Sequence, residues 1–202
     1  MIPKIKICGI RRMEDVEACN LYMPDYAGFM FWEGSKRYIE PEKARLIAPK
    51  LDKRIRTVGV FVNSPIVDVA KIVSSGIIDI VQLHGQESDD YIRTVRFMTQ
   101  IPVIKAFSVI KGDKVVDIND SPADMVLIDS GSGGTGEAFD WSFLEGIKRE
   151  FFLAGGIEPD NARKALSTGA YALDVSSGVE TEGYKDADKI RRFIEAVRGT
   201  KE

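Results

Sequence analysis

Cys8 stands where a strand should end, in Lys4-Ile5-Lys6-Ile7-Cys8-Gly9, and it shares a face with two ammonium groups. Side chains alternate along a strand, so Ile5 and Ile7 face packed protein while Lys4, Lys6 and Cys8 point the other way. Gly9 breaks the run and lets the chain turn closely past the sulfur. Such a thiol is either a tuned acid–base group or a small buried hydrophobe, the ordinary fate of an isolated cysteine. Lys6, ~6–7 Å away by strand rise, would favour the thiolate.

Further polar groups end other strand-like runs. Asp79-Ile80-Val81-Gln82-Leu83-His84-Gly85 puts Gln82 and His84 on one face, with Val81 and Leu83 opposite. Val103-Ile104-Lys105-Ala106 contributes Lys105, and Met125-Val126-Leu127-Ile128-Asp129 closes an apolar run with an acid. Leu173-Asp174-Val175-Ser176-Ser177-Gly178 carries Asp174 and Ser176. One polar strand end needs only solvation or a helix cap as its explanation. A thiol, an imidazole, a lysine and two carboxylates at equivalent ends read as a functional site.

Equivalent ends require an ordered set of strands, and the chain supplies one. Short β-branched runs near 4–8, 26–31, 56–62, 79–84, 102–107, 124–129, 151–154 and 172–176 alternate with amphipathic stretches. Helical patterns fall near 12–22, 41–51, 65–75, 87–98, 158–168 and 186–198. The link over 111–122 is poor in apolar period, so the helix after strand five should be reduced; the link from strand six to seven carries a brief helix near 141–149. This is the pattern of a compact (β/α)8 TIM barrel. The competing doubly wound sheet calls for an early G-x-G-x-x-G, and Cys8-Gly9-Ile10 is not one.

The 202 residues suit one domain, 1–202, with one well-buried core. A formal charge of −3 and an isoelectric point near 5.4 argue against nucleic acid or an anionic membrane as partner. No apolar run is long enough to span a bilayer, and the N-terminus lacks a signal-peptide core, so a cytoplasmic location is expected. Two cysteines and a single histidine make neither a disulfide framework nor an all-Cys/His zinc site, and no metal is expected.

In a barrel of this kind the chemistry gathers at the C-terminal strand ends, and phosphate sits in the loops after strands seven and eight. Leu153-Ala154-Gly155-Gly156-Ile157 and Ser176-Ser177-Gly178 occupy those places. Gly155, Gly156, Ser176, Ser177 and Gly178 are therefore the expected phosphate contacts of a small phosphorylated substrate, although a tight turn would explain either motif alone. Gly131-Ser132-Gly133-Gly134-Thr135-Gly136, after Asp129, reads as a flap over the site or as a plain linker. Arg37, in Ser35-Lys36-Arg37 after strand two, suits carboxylate recognition, although a solvated surface charge would explain it as well. Gln82, His84 and Asp174 complete the substrate-binding set. Cys19 is spaced with Met23 on a helix face and belongs to the core, while Phe29, Phe31 and Trp32 read as packing and rim residues.

These motifs together resemble the phosphoribosylanthranilate isomerases of tryptophan biosynthesis over nearly the whole chain. The resemblance runs through Lys6-Ile7-Cys8-Gly9-Ile10, Gly28-Phe29-Met30-Phe31, Ser35-Lys36-Arg37, Val58-Gly59-Val60-Phe61-Val62-Asn63 and Val81-Gln82-Leu83-His84-Gly85. It continues in Leu127-Ile128-Asp129, Gly133-Gly134-Thr135-Gly136, Phe139-Asp140-Trp141, Leu153-Ala154-Gly155-Gly156-Ile157, Asp174-Val175-Ser176-Ser177-Gly178-Val179-Glu180 and Lys185-Asp186. It implies a cofactor-free Amadori rearrangement by a monomer or homodimer. Asp129 would be the general acid that opens the furanose ring and Cys8 the general base at C2. Arg37 would hold the anthranilate carboxylate, and the two glycine loops the phosphate. Burial after an apolar strand would keep Asp129 protonated. Two other readings remain open on the residues themselves. A sugar-phosphate aldolase or epimerase would use Lys105 as a Schiff-base lysine, and a non-catalytic sensor would use only the phosphate loops.

Overall fold

The computed structural model describes residues 2–108, 114–129 and 141–199. Eight parallel strands close into a barrel in chain order: β1 Lys4–Cys8, β2 Tyr26–Met30, β3 Arg56–Phe61, β4 Ile80–Leu83, β5 Val103–Ser108, β6 Met125–Asp129, β7 Phe151–Ala154 and β8 Ala172–Val175. The helices are α1 Met13–Tyr22, α2 Pro41–Ile47, α3 Ile66–Ser74, α4 Asp89–Thr99, α5 Val115–Asp120, α6 Ala162–Ala165 and α7 Ala187–Arg198. The expected reduction after β5 is present, since α5 has only six residues. A second economy falls after β7, where α6 has four residues and is extended by a 3-10 turn over Leu166–Thr168. The link from β6 to β7 carries a 3-10 turn, Trp141–Gly146. The Gly131–Gly136 motif lies outside the described residues.

Strand alternation divides the core in two. One face of each strand packs under the helices: Ile5, Ile7, Phe29, Phe61, Val81, Leu83, Val103, Ile128, Leu153 and Leu173 belong to that outer layer. The other face fills the barrel interior with Tyr26, Val58, Val60, Ile80, Ile104, Ala106, Leu127, Phe152 and Ala172, and Cys8 tops this set. Tyr26 and Tyr171 plug the floor, both edge-on to Phe152, with their hydroxyls 3.0 Å apart. Cys19 lies buried in the outer layer, and its thiol is pushed up to about 12 by burial, as suits an inert packing group.

Side-chain caps fix where α4 and α7 begin. Ser88 accepts from the Tyr91 N–H at the start of α4, and Asp186 accepts from Asp188 and Lys189 at the start of α7. Not anticipated from the sequence is a two-residue hairpin, β9 Glu180–Thr181 with β10 Tyr184–Lys185, between β8 and α7. Glu182 and Gly183 turn it with φ of 53° and 78°, the left-handed pair that a two-residue hairpin requires. Arg11 and Arg12 stack on Tyr184 with their guanidinium carbons 4.5 and 4.3 Å from the ring centre, which ties the hairpin to the loop after β1.

Candidate active site

The C-terminal strand ends enclose a cavity of about 330 Å³ that receives Cys8, Gln82, His84, Asp129, Asp174, Arg37, Gly155, Gly156, Ser176 and Ser177. Of the expected phosphate contacts, Gly178 is absent from its lining. Its role is steric: a Cβ there would lie 2.0 Å from the Ile157 carbonyl oxygen, so the loops after β7 and β8 meet only because this residue is glycine. Gly155 and Gly156 have φ of 93° and 63°, backbone that glycine adopts without strain. Met30, Val60 and Ile157 add apolar wall.

Two glycines make room around the thiol. A Cβ on Gly28 would come within 2.8 Å of the Cys8 sulfur, and one on Gly9, at φ 90°, within 2.7 Å of the Arg37 stem. Register explains what lies beneath. Lys6 is paired with Asp174 across β1 and β8, both pointing inward, and their side chains meet at 2.7 Å. Lys6 is wholly buried, so its ammonium is held charged by that partner despite the cost of burial. Lys6 pulls the Cys8 thiol toward the thiolate, as expected, but it does not set the balance. Burial pushes the thiol up, Lys6 and Lys185 pull it down, Asp174 pushes it up again, and the balance lies above an ordinary thiol. In the free protein that balance favours the thiol over the thiolate.

Asp129 differs from expectation too. Its side chain is 29 % exposed rather than deeply buried, and its Oδ2 lies 3.2 Å from His84 Nε2. The Gln82 amide donates to His84 Nδ1 at 2.9 Å, which leaves the ring proton on Nε2, facing Asp129. Gln82 and His84, expected as substrate contacts, thus spend polar atoms on orienting the acid. Alternation along β4 puts them on one face, but nothing in the sequence shows that β6 brings Asp129 within reach.

Lys105 is a second correction. Ile104 and Ala106 face the interior, so the residue between them points outward. Its Nζ donates to Glu87 Oε2 at 3.1 Å, to the Gly85 carbonyl at 2.7 Å and to the Ala106 carbonyl at 3.0 Å. Lys105 is a buttress for the loop after β4 and does not line the cavity.

Arg37 arrives already gripped. Glu180, on the hairpin, accepts from its Nε and Nη2 at 2.7 Å each, and accepts from Lys185 Nζ at 2.7 Å as well. Burial works against the Glu180 carboxylate, but the two cations hold it below its usual range. Lys185 also donates to the Ser176 carbonyl at 3.0 Å, and Ser176 Oγ to the Cys8 carbonyl at 2.9 Å. Glu180 and Lys185 were visible only as parts of a motif, because a hairpin of two-residue strands has no period to read.

The chain matches the family model described as N-(5'phosphoribosyl)anthranilate (PRA) isomerase over residues 5–196. It is 44% identical, over 97% of this chain and 98% of the relative, to the N-(5'-phosphoribosyl)anthranilate isomerase of Thermoanaerobacter pseudethanolicus. Among solved structures, a phosphoribosyl anthranilate isomerase in complex with reduced 1-(o-carboxyphenylamino)-1-deoxyribulose 5-phosphate superposes with a TM-score of 0.83 at 35% identity, covering 98% of this chain and 100% of that one. Generated monomers of the dimeric enzyme of Thermotoga maritima superpose with a TM-score of 0.83 at 34% identity and the same coverage. The match runs from the first strand of the barrel into its last helix, and the chain belongs to the N-(5'-phosphoribosyl)anthranilate isomerase family.

Proposed function

We propose that the isomerisation of this family is carried out here by Cys8 as general base and Asp129 as general acid, with no cofactor. The chain is an isomerase of tryptophan biosynthesis, and it converts N-(5-phosphoribosyl)anthranilate to 1-(2-carboxyphenylamino)-1-deoxyribulose 5-phosphate. The observation that carries the assignment is the placement of one thiol and one carboxyl on β1 and β6, facing a single cavity. Acid–base isomerisation needs two such groups in opposite protonation states beside the sugar.

Asp129 gives its proton to the furanose ring oxygen as the C1–O bond breaks, and the nitrogen lone pair forms the C1=N bond of a Schiff base. The Cys8 thiolate then removes the C2 proton. The C–H electron pair becomes C1=C2, and the imine π pair returns to nitrogen. The resulting enolamine loses its O–H proton, gains one at C1 and becomes the ketone. Cys8 ends protonated and Asp129 ionised, and solvent restores both between turnovers. His84, held by Gln82, keeps Asp129 aimed. Arg37 meets the ring carboxylate, and Gly155, Gly156, Ser176 and Ser177 meet the phosphate, with Gly178 closing that loop. Each barrel contains the whole proposed set, so monomer and homodimer serve equally. Among the described residues no helix is long and apolar enough to cross a membrane, and a cytoplasmic location is part of this reading.

Turnover of purified Cys8→Ser and Asp129→Asn tests the pair. Each should lower kcat by at least ~10²-fold, the usual size of one acid–base contribution, with little change in KM. Near wild-type turnover in either variant removes that residue from its role.

A further inference from the structure

We propose that Lys6 is a positioning residue whose charge is transferred from Asp174 to the Cys8 sulfur when substrate binds, so that the base is activated only in the occupied site. The proposal rests on the reading of Cys8 as base. Its first support is the buried pair: Lys6 is fully enclosed in the barrel interior, two residues below Cys8 on the same face, and bonds Asp174 Oδ2 at 2.7 Å. The second is an unmet acceptor. Asp174 is 7% exposed and lines the cavity, yet among the described residues its buried Oδ1 has no hydrogen-bond partner. A buried carboxylate oxygen left unpaired is costly, and a donor from the ligand relieves it. The substrate brings hydroxyl donors and is to be held in this cavity.

A hydroxyl on Oδ1 draws charge away from Oδ2 and weakens its hold on Lys6. Asp174 then opposes the thiolate less, and the Lys6 ammonium, whose charge already pulls the thiol down, favours it more. The thiol proton leaves to solvent. The other charges facing Cys8 are fixed elsewhere: Lys185, whose pKa burial pushes below the usual lysine value, is bound to Glu180, and Glu180 also engages Arg37. Lys6 and Asp174 are thus the pair whose balance a ligand can change.

Two measurements test this. In the wild type, the ascending limb of kcat against pH, which reports the complex, should lie at least about one pH unit below that of kcat/KM, which reports the free enzyme. Alkylation of Cys8 by iodoacetamide, followed on its own peptide against the buried Cys19, reads the thiolate without turnover. Asp174→Asn should react about tenfold faster than wild type at pH 7, since its neutral amide leaves Lys6 to the sulfur. The double variant Lys6→Met/Asp174→Asn, which removes both buried charges at similar volume, should lose that gain. An Asp174→Asn protein no faster than wild type, a double variant as fast as Asp174→Asn, or coincident kcat and kcat/KM limbs would each overturn the proposal. Cys8→Ser turnover separates this failure from that of the base assignment, because the alkylation result stands whichever group takes the C2 proton.

Discussion

On the proposed reading of Arg37, a single guanidinium faces two carboxylates. Its Nε/Nη2 edge is committed to Glu180, so a substrate carboxylate must use the end-on edge that carries Nη1. Lysine keeps the charge but offers neither edge. Arg37→Lys should therefore raise KM about tenfold to a hundredfold, the worth of a hydrogen bond to a charged group, and Arg37→Ala should raise it further. Glu180→Gln keeps shape and loses the clamp, so it should raise KM less and leave kcat nearly intact. The control is a substrate whose aniline ring lacks the carboxylate. Wild type should handle it poorly, and Arg37→Ala should lose little more on it. Equal losses on both substrates would mean that Arg37 works through folding of the hairpin rather than recognition. The thiol carries its own pH signature. Burial holds it above the ordinary value of about 8.5, and a base acts only when deprotonated. On the reading of Cys8 as base, kcat/KM should still be climbing with pH at that value, and an early plateau would exclude a raised thiol.

Among the elements, the strands were legible because β-branched runs and turn residues alternate from end to end, and all eight appear within a residue or two of their expected bounds. The parity of a strand was less legible. In this barrel both faces of a strand are buried, so an apolar run such as Val103-Ile104-Lys105-Ala106 does not say which side looks inward. Cys8 and Asp129 do face the cavity, while Lys105, read as inward-facing, does not. The contact of His84 with Asp129, and the clamp of Glu180 on Arg37, join residues distant in the chain and leave no local pattern. The corrected role of Lys105 makes a prediction about the loop after β4. Glu87 is buried and accepts from Lys105, from Gly85 N–H at 2.9 Å and from Asn63 N–H at 2.8 Å. Lys105→Met strands that carboxylate and should cost about 3 kcal/mol in a urea titration, the lower end for breaking a buried pair because the backbone donors remain. Turnover well below the melting point should stay within a few-fold. A well-folded Lys105→Met protein without activity would instead favour a chemical lysine.

Over the whole molecule, the end of the barrel away from the site is bound by a recurring aspartate. Asp25, Asp79 and Asp124 each precede an even-numbered strand and accept the backbone N–H of Ile5, Thr57 and Val103 on or beside the strand before it, at 2.9, 2.8 and 2.9 Å. The pattern joins strands in pairs around the floor, and before β8 Tyr171 takes the place, its hydroxyl meeting that of Tyr26. Asp25 does most to close the molecule, since it also accepts from Lys4 at 3.0 Å and from Arg198 of α7 at 2.6 Å. First strand and last helix meet on one carboxylate. Burial alone would raise its pKa, but the Ile5 N–H, Lys4 and Arg198 outweigh burial and hold it below the usual carboxylate value. A group depressed in the folded state stabilises fully above its unfolded pKa of about 3.9 and loses that contribution as pH falls through the folded value. Asp25→Asn should therefore unfold more easily than wild type at pH 7, and the two should converge below about pH 3.9 as wild type loses the charge. Denaturant midpoints at pH 7, 5 and 3 measure the gap. Turnover at pH 7 and moderate temperature should be unchanged, because Asp25 lies at the end of the barrel opposite Cys8 and Asp129. A gap that stays constant down to pH 3 would assign the effect to hydrogen-bond geometry rather than to charge.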